Sequence, residues 1–110
     1  MAANFDGLRF SHWQTELRAD GIVVLAFDRQ GTSVNAFSQD VLIELADILE
    51  RLSIDPPTGM VLRSAKASGF IAGADLKEFQ EFDRKGTVND AIRRGQAVFQ
   101  KLAELPCPTV

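Results

Sequence analysis

Two short runs with different hydrophobic patterns open the chain and predict a pair of strands. Residues 13–18 alternate between apolar or threonine and polar side chains, which is typical of a half-buried strand. The run from Ile22 to Phe27 is continuously apolar and rich in β-branched residues, as expected of a strand covered on both faces. Asp20-Gly21 between them is a strong signal for a tight turn. The pattern therefore predicts two strands joined by a turn.

A helical pattern follows the polar loop after Phe27. Ser38 is placed to cap a helix that ends before Pro56, because proline disfavours helix in the residue that precedes it. A short buried strand is predicted from Gly59 to Ser64. Six apolar residues share one face of the helix: Val41, Leu42, Leu45, Ile48, Leu49 and Leu52.

A second long helix is predicted from about Thr87 to Leu105, where Pro106 ends it. Thr87 and Asp90 have the spacing of a capping box. Its apolar stripe consists of Val88, Ala91, Ile92, Phe99 and Leu102. A short helix should precede it, after a glycine-rich turn.

These elements form one α/β unit over residues 1–110. A further strand is expected to start after Pro108, where an apolar segment begins just before the chain stops. Domains rarely finish on the first residues of a strand, so we expect the chain to be the truncated part of a domain.

Composition and charge narrow the function classes. The chain is 45% hydrophobic and 25% charged, with a net charge of −3, which argues against a nucleic-acid or membrane-surface partner. It has no apolar run long enough to span a membrane and no secretory signal pattern at its N-terminus. The single cysteine excludes an internal disulfide and a cysteine metal cluster. We expect a cytoplasmic protein.

The candidate chemistry lies in residues 68–79, SGFIAGADLKEF, between the third strand and the short helix. The first N–H groups of a helix have no internal partners and carry the positive end of its dipole, so they bind anions. Gly73 has no side chain to keep a ligand away, and the N–H of Ala74 could reach a developing oxyanion. One such donor is worth roughly 3–4 kcal/mol in a transition state. The alternative is a packing turn without function.

Three segments resemble the crotonase (enoyl-CoA hydratase/isomerase) superfamily, in the expected order. Residues 70–79 resemble its first oxyanion-hole segment, residues 25–38 its strand and Asn-Ala loop, and residues 104–110 the approach to its next core strand. The resemblance implies the N-terminal portion of a crotonase-like spiral of ββα units. Residues 29–35 lack the Arg-Pro pair of stand-alone hydratases. They look closer to the hydratase portion of the multifunctional fatty-acid oxidation α-subunit.

The resemblance also implies a function, which is hydration of an enoyl-CoA in fatty-acid β-oxidation by stabilisation of a thioester enolate. The N–H of Ala74 would be one of two donors to the thioester oxygen, and Lys77 would attract the phosphates of coenzyme A. The adenine and pantetheine path would be lined by Ser33, Val34, Ala36, Ala72, Gly73, Ala74, Asp75, Leu76 and Lys77.

The same resemblance sets expectations for cofactors and partners. The substrate is an acyl-CoA, this part binds no cofactor or metal, and NAD is needed only if a dehydrogenase domain follows. The intact protein is expected to be an oligomer, with a thiolase subunit as a possible partner. The second donor and the acid/base glutamates of the family lie later than these 110 residues.

Two alternatives stay open. The chain by itself is a non-catalytic fragment that binds acyl-CoA, or the intact protein runs another crotonase reaction, such as isomerisation, decarboxylation or thioester hydrolysis.

The remaining candidates have structural interpretations. His12 is expected at the surface, Cys107 as an inert thiol and Trp13 in the core. Phe79 and Phe82 either bound an acyl pocket or anchor the core. Three acidic residues are expected on a solvated helix face: Glu78, Glu81 and Asp83.

Overall fold

The computed structural model describes Phe5 and residues 8–110 of the chain. Its elements follow the predicted order of strands and helices, which confirms the α/β class. They are β1 (Trp13–Leu17), β2 (Ile22–Phe27), α1 (Gln39–Ile54), β3 (Gly59–Ser64), α2 (Leu76–Lys85) and α3 (Val88–Ala103).

The three strands form one sheet in the order β1-β2-β3. β1 and β2 are antiparallel and meet at the predicted turn, where Gly21 has a φ of +83° that favours glycine. β3 pairs in parallel with β2. Parallel neighbours need a long crossover, and α1 supplies it.

The end of the chain continues this sheet beside β3, where a further strand was predicted. The N–H of Met60 donates to the carbonyl of Pro108 at 2.9 Å, and the N–H of Val110 donates back to Met60 at 3.0 Å. Met60 and Thr109 thereby form a parallel bridge.

The core lies between the sheet and α1. Trp13 is buried as predicted, stacks on Phe27 with ring centroids 4.4 Å apart, and donates its indole N–H to the carbonyl of Val41 at 3.0 Å. Ser38 caps α1 as predicted by accepting the N–H of Val41. The most deeply buried residues of sheet and helix are Val23, Leu25, Phe27, Met60, Val41, Leu45, Ile48, Leu49 and Leu52.

The capping box predicted for α3 is wrong. The side chain of Thr87 makes no cap at α3 and instead donates to the carbonyl of Phe82 at 3.4 Å. The reason is the tight turn between the helices, where Gly86 has a φ of +72° and brings Thr87 back onto the last turn of α2.

The apolar stripe predicted for α3 is only partly covered by the rest of the chain. Ile92 and Phe99 are 41% and 40% exposed, whereas Gly95 is the one residue of α3 that is buried. A β-carbon on Gly95 would lie 3.6 Å from the side chain of Leu42, so α3 approaches α1 most closely at this glycine. The apolar residues on either side of it therefore line a groove between the helices.

Within residues 8–110 and Phe5, none of the helices combines the length and the apolar character that crossing a bilayer requires.

Two isoleucines of α1 offer a matched test of this core. Ile48 is fully buried and Ile54 is 76% exposed. We expect Ile48→Ala to lower the free energy of unfolding by about 2–5 kcal/mol, because it leaves a cavity. Ile54→Ala should change it by less than about 0.5 kcal/mol. Urea unfolding followed by circular dichroism measures both, and equal losses would contradict the packing described here.

Candidate active site

Two loops that follow neighbouring strands run side by side. We call residues 28–38, after β2, the Asn35 loop, and residues 65–75, after β3, the Ala74 loop. The N–H of Ala72 donates to the carbonyl of Asn35 at 2.7 Å. The N–H of Phe37 donates to Gly73 at 2.7 Å, and the N–H of Asp75 donates to Phe37 at 2.8 Å. The loops are therefore joined by a short parallel ladder.

This ladder decides the direction of the Ala74 N–H. Phe37 is the bridge partner of Ala74, and it bonds to the residues before and after Ala74. In such a bridge, the N–H of the paired residue faces away from the partner strand. The Ala74 N–H meets no acceptor among the described residues. Gly73, with a φ of +99°, takes a backbone conformation that favours glycine.

The side chain of Asn35 holds the two loops and two strand ends together. It is 2% exposed. Its amide N–H₂ donates to the carbonyl of Phe27 at 2.8 Å, to the hydroxyl of Ser64 at 3.0 Å and to the carbonyl of Phe70 at 3.3 Å. Its oxygen accepts the backbone N–H of Arg29 at 2.9 Å. One buried amide thus joins the ends of β2 and β3 to both loops.

Two further contacts join the outer parts of the loops. The ammonium of Lys66 lies 3.0 Å from a carboxylate oxygen of Asp28 and donates to the carbonyl of Thr32 at 2.8 Å. The hydroxyl of Ser68 donates to the carbonyl of Ser33 at 2.7 Å. The Ala74 loop is thus fixed along most of its length.

The carboxylate of Asp75 is fully engaged. One oxygen caps α2 by accepting the N–H of Glu78 at 3.0 Å, and the other pairs with the guanidinium of Arg29. The Glu78 N–H, followed by the hydrogen bond to Arg29, lowers the pKa of Asp75 below 3.8, although burial opposes the shift. Asp75 is therefore ionised and orients the start of α2.

The expected solvated position of Glu78 is wrong. It is half-buried, and its carboxylate accepts the N–H of Gln39 at 2.6 Å. The first N–H groups of α1 lack helical partners, and α2 lies close enough to supply one. Glu81 pairs with Arg84 at 3.2 Å on the exposed face, as predicted for the other acidic residues of α2.

A groove of about 650 Å³ lies beside the Ala74 loop, between α1, α2 and α3. Its walls are mainly apolar and include Leu42, Ile43, Phe79, Phe82, Ile92 and Phe99. Phe79 is 40% exposed, so a role as a core anchor is wrong for it, and both Phe79 and Phe82 line the groove.

The structure brings only some of the predicted binding residues to this groove, and their contacts with coenzyme A stay predictions. The groove is lined by Gly73, Ala74 and Asp75. Ala36 is buried in the Asn35 loop next to the ladder. The other five predicted residues are exposed and lie outside the groove, on the two loops and the first turn of α2. They are Ser33, Val34, Ala72, Leu76 and Lys77.

His12 and Cys107 have structural surroundings. His12 is half-buried; its ring accepts the backbone N–H of Gln30 at 3.1 Å, and its own backbone N–H donates to the carboxylate of Glu44 at 2.8 Å. Cys107 is half-buried, and burial raises the pKa of its thiol, which fits an inert residue. The described residues contain no group of three side chains able to hold a metal ion.

Arg29 and Asn35 organise the site, although neither was among the site residues predicted from the sequence; Asn35 was noted only as part of the Asn-Ala loop. Their partners are distant in sequence: Ser64 is 29 residues from Asn35, and Asp75 is 46 residues from Arg29.

Comparison with known proteins gives a family and two informative relatives. Residues 18–110 match the family described as enoyl-CoA hydratase/isomerase. The chain is 33% identical over 96 residues to the fatty acid oxidation complex subunit alpha of Idiomarina loihiensis, covering 86% of this chain and 14% of that protein. It is 32% identical over 94 residues to the protein of the same name from Shewanella halifaxensis, covering 84% and 13%. The chain thus spans about one seventh of the length of these relatives.

Solved structures share the fold. The Pseudomonas aeruginosa protein DspI superposes with a TM-score of 0.80 at 24% identity, over 99% of this chain and 43% of DspI. An enoyl-CoA hydratase from Bacillus anthracis gives a TM-score of 0.70 at 24% identity, over 89% of this chain and 38% of its own.

Removing the buried amide should destabilise the whole chain. We expect Asn35→Ala to lower the free energy of unfolding by about 2–4 kcal/mol, because it removes four hydrogen bonds that are buried or part-buried. Asn89→Ala is the matched control, since Asn89 is exposed on α3. Urea unfolding of both variants measures the difference, and a loss below about 1 kcal/mol for Asn35→Ala would contradict this account.

The hydrogen-bonded carboxylate of Asp75 should make the stability of the chain depend on pH. Because the pKa of Asp75 is lower in the folded chain than its ordinary 3.8, the pair stabilises the fold above that pH and loses its effect as pH falls through the folded value. The stability advantage of wild type over Asp75→Asn should therefore be constant near neutral pH and shrink below 3.8. Urea midpoints between about pH 2.5 and 7 measure it, and a difference independent of pH would contradict it.

Proposed function

The chain belongs to the enoyl-CoA hydratase/isomerase family, and we propose that the N–H of Ala74 binds the thioester oxygen of an acyl-CoA and stabilises its enolate. Its fold is the N-terminal portion of the crotonase fold. The observation that carries the proposal is the Ala74 N–H, which the ladder turns away from Phe37 and leaves without an acceptor among the described residues.

The surroundings of this N–H suit a developing negative charge. Ala74 lies directly before Asp75, the N-cap of α2, so the positive end of the helix dipole is close. Its partners in the ladder hold the donor in place before substrate arrives, and a preorganised donor stabilises a transition state without reorganisation. The absence of a side chain at Gly73 lets a thioester approach.

The groove beside Ala74 suits the acyl portion of the substrate. It begins at Gly73 and Ala74 and continues between three helices with mainly apolar walls. Its volume of about 650 Å³ lies within the usual range of small-molecule sites.

We propose hydration of a 2-enoyl-CoA in fatty-acid oxidation as the reaction of the natural protein. The supporting finding is that relatives over 84–86% of this chain are named fatty acid oxidation complex subunit alpha. The family resemblance extends the proposal to a cytoplasmic oligomer that works with a thiolase subunit. NAD would serve a separate dehydrogenase domain.

One observation favours a second candidate, in which the 110-residue chain binds acyl-CoA without converting it. The carboxylates of Asp75 and Glu78 line the groove, but each already accepts a backbone N–H. Neither is free to move a proton to or from a substrate. Calorimetric titration of the chain with a saturated acyl-CoA, beside an enoyl-CoA hydration assay, tests this candidate. Turnover by the chain alone would contradict it.

Proline substitutions at two positions distinguish the loss of the proposed donor from damage to the loops that hold it. Ala74→Pro deletes an N–H that has no described acceptor, so we expect the fold to persist and the hydration rate of the natural protein to fall about 100-fold or more. The rate is followed by loss of the enoyl-CoA absorbance, and circular dichroism checks the fold.

Ala72→Pro is the contrasting variant, because the N–H of Ala72 donates to Asn35. It should lower the stability of the chain measurably more than Ala74→Pro does. A folded Ala74→Pro variant with undiminished turnover would exclude the proposed donor.

A further inference from the structure

The position of α2 depends on polar contacts. None of its residues is buried, so apolar packing fixes this helix only weakly. Its first turn is held by the contact of Glu78 with Gln39 and by the two contacts of Asp75. A change in these contacts should therefore move the start of the helix and the residue directly before its cap, which is Ala74.

Arg29 is the partner of Asp75 in these contacts, and it belongs to the Asn35 loop. Its backbone is fixed because its N–H donates to the buried side chain of Asn35. Its guanidinium pairs with Asp75, and the two side chains are only 18% and 17% exposed. A charged hydrogen bond sheltered from water is stronger than an exposed ion pair, which commonly contributes little.

Asp75 links the ion pair with Arg29 to the N–H of Ala74, the residue directly before it. Its backbone N–H belongs to the ladder, and its two carboxylate oxygens bind different partners, the Glu78 N–H and Arg29. With its backbone and side chain both held, Asp75 restricts rotation about the backbone of Ala74 from the side that follows it. The Ala74 N–H lies in the preceding peptide plane, together with the Gly73 carbonyl that accepts the Phe37 N–H. The orientation of Ala74 is thus tied to Arg29.

We propose that Arg29 is a positioning residue, which acts through Asp75 to hold the Ala74 N–H in the orientation that an oxyanion needs. The inference rests on the proposed function of Ala74. It adds a side chain that touches neither substrate nor the reacting atoms.

The kinetic test compares Arg29→Gln, Asp75→Asn and the double variant in the natural protein. Asparagine is a good N-cap, so Asp75→Asn removes the ion pair and keeps the cap. We expect each single variant to lower kcat about 10-fold with a smaller change in KM, because a misdirected donor affects the transition state. The double variant should be no slower than the slower single variant. Effects that multiply would show that Arg29 does not act through Asp75 and would overturn the proposal.

Two further variants exclude a merely structural effect. Arg29→Lys retains the charge and should recover part of the lost kcat. Arg51→Gln removes the exposed ion pair with Asp47 on α1 and should leave kcat unchanged. If Arg51→Gln lowers kcat as much as Arg29→Gln does, the effect is general and the proposal fails.

Amide hydrogen exchange gives a readout that needs no catalysis. In the 110-residue chain, Arg29→Gln should speed exchange of the Glu78 N–H about 10-fold, because the cap that binds it loosens, and leave the β2 amides unchanged. Unchanged exchange at Glu78 would overturn the link between Arg29 and Asp75. Undiminished turnover by Ala74→Pro would instead reject the proposed donor, so the two failures are distinguishable.

Discussion

A buried amide side chain must find partners for its oxygen and its two hydrogens, and Asn35 finds them at four separate points of the chain. Each unpaired group would cost about 1–3 kcal/mol. The constraint is therefore strong enough to bring the ends of β2 and β3 and the two following loops to one place. The pairing of the Asn35 loop with the Ala74 loop follows from it.

The register of that pairing determines what the site can do. With Phe37 opposite Ala74, the N–H groups of Ala72 and Asp75 are used within the ladder and that of Ala74 is not. Gly73, with a φ of +99°, lies between Ala72, whose N–H is used, and Ala74, whose N–H is not, so the backbone does not simply alternate here. An available donor thus arises from the same hydrogen bonds that stabilise the loops.

The sequence predicted the strands, α1 and the order of elements, because periodicity, a serine cap and prolines are local signals. It failed where a contact between separate elements decided the outcome. Thr87 serves the end of α2 instead of the start of α3, and Glu78 binds the start of α1. The apolar face of α3 was recognisable, but the sequence could not show that Gly95 takes the close contact and leaves Phe99 at the groove.

The candidate site also has parts that a local sequence pattern marks and parts that only a tertiary contact reveals. Gly73 and Ala74 stand out because small residues before a helix are a local pattern, whereas Arg29 matters only through Asp75, far along the chain. Ala74 is both the bridge residue of the ladder and the residue before the cap of α2. Its N–H is therefore held from two sides, by Asn35 through the ladder and by Arg29 through Asp75. Because α2 buries no side chain, the second support is the weaker, and a variant that disturbs it should change the donor's orientation before it changes the fold.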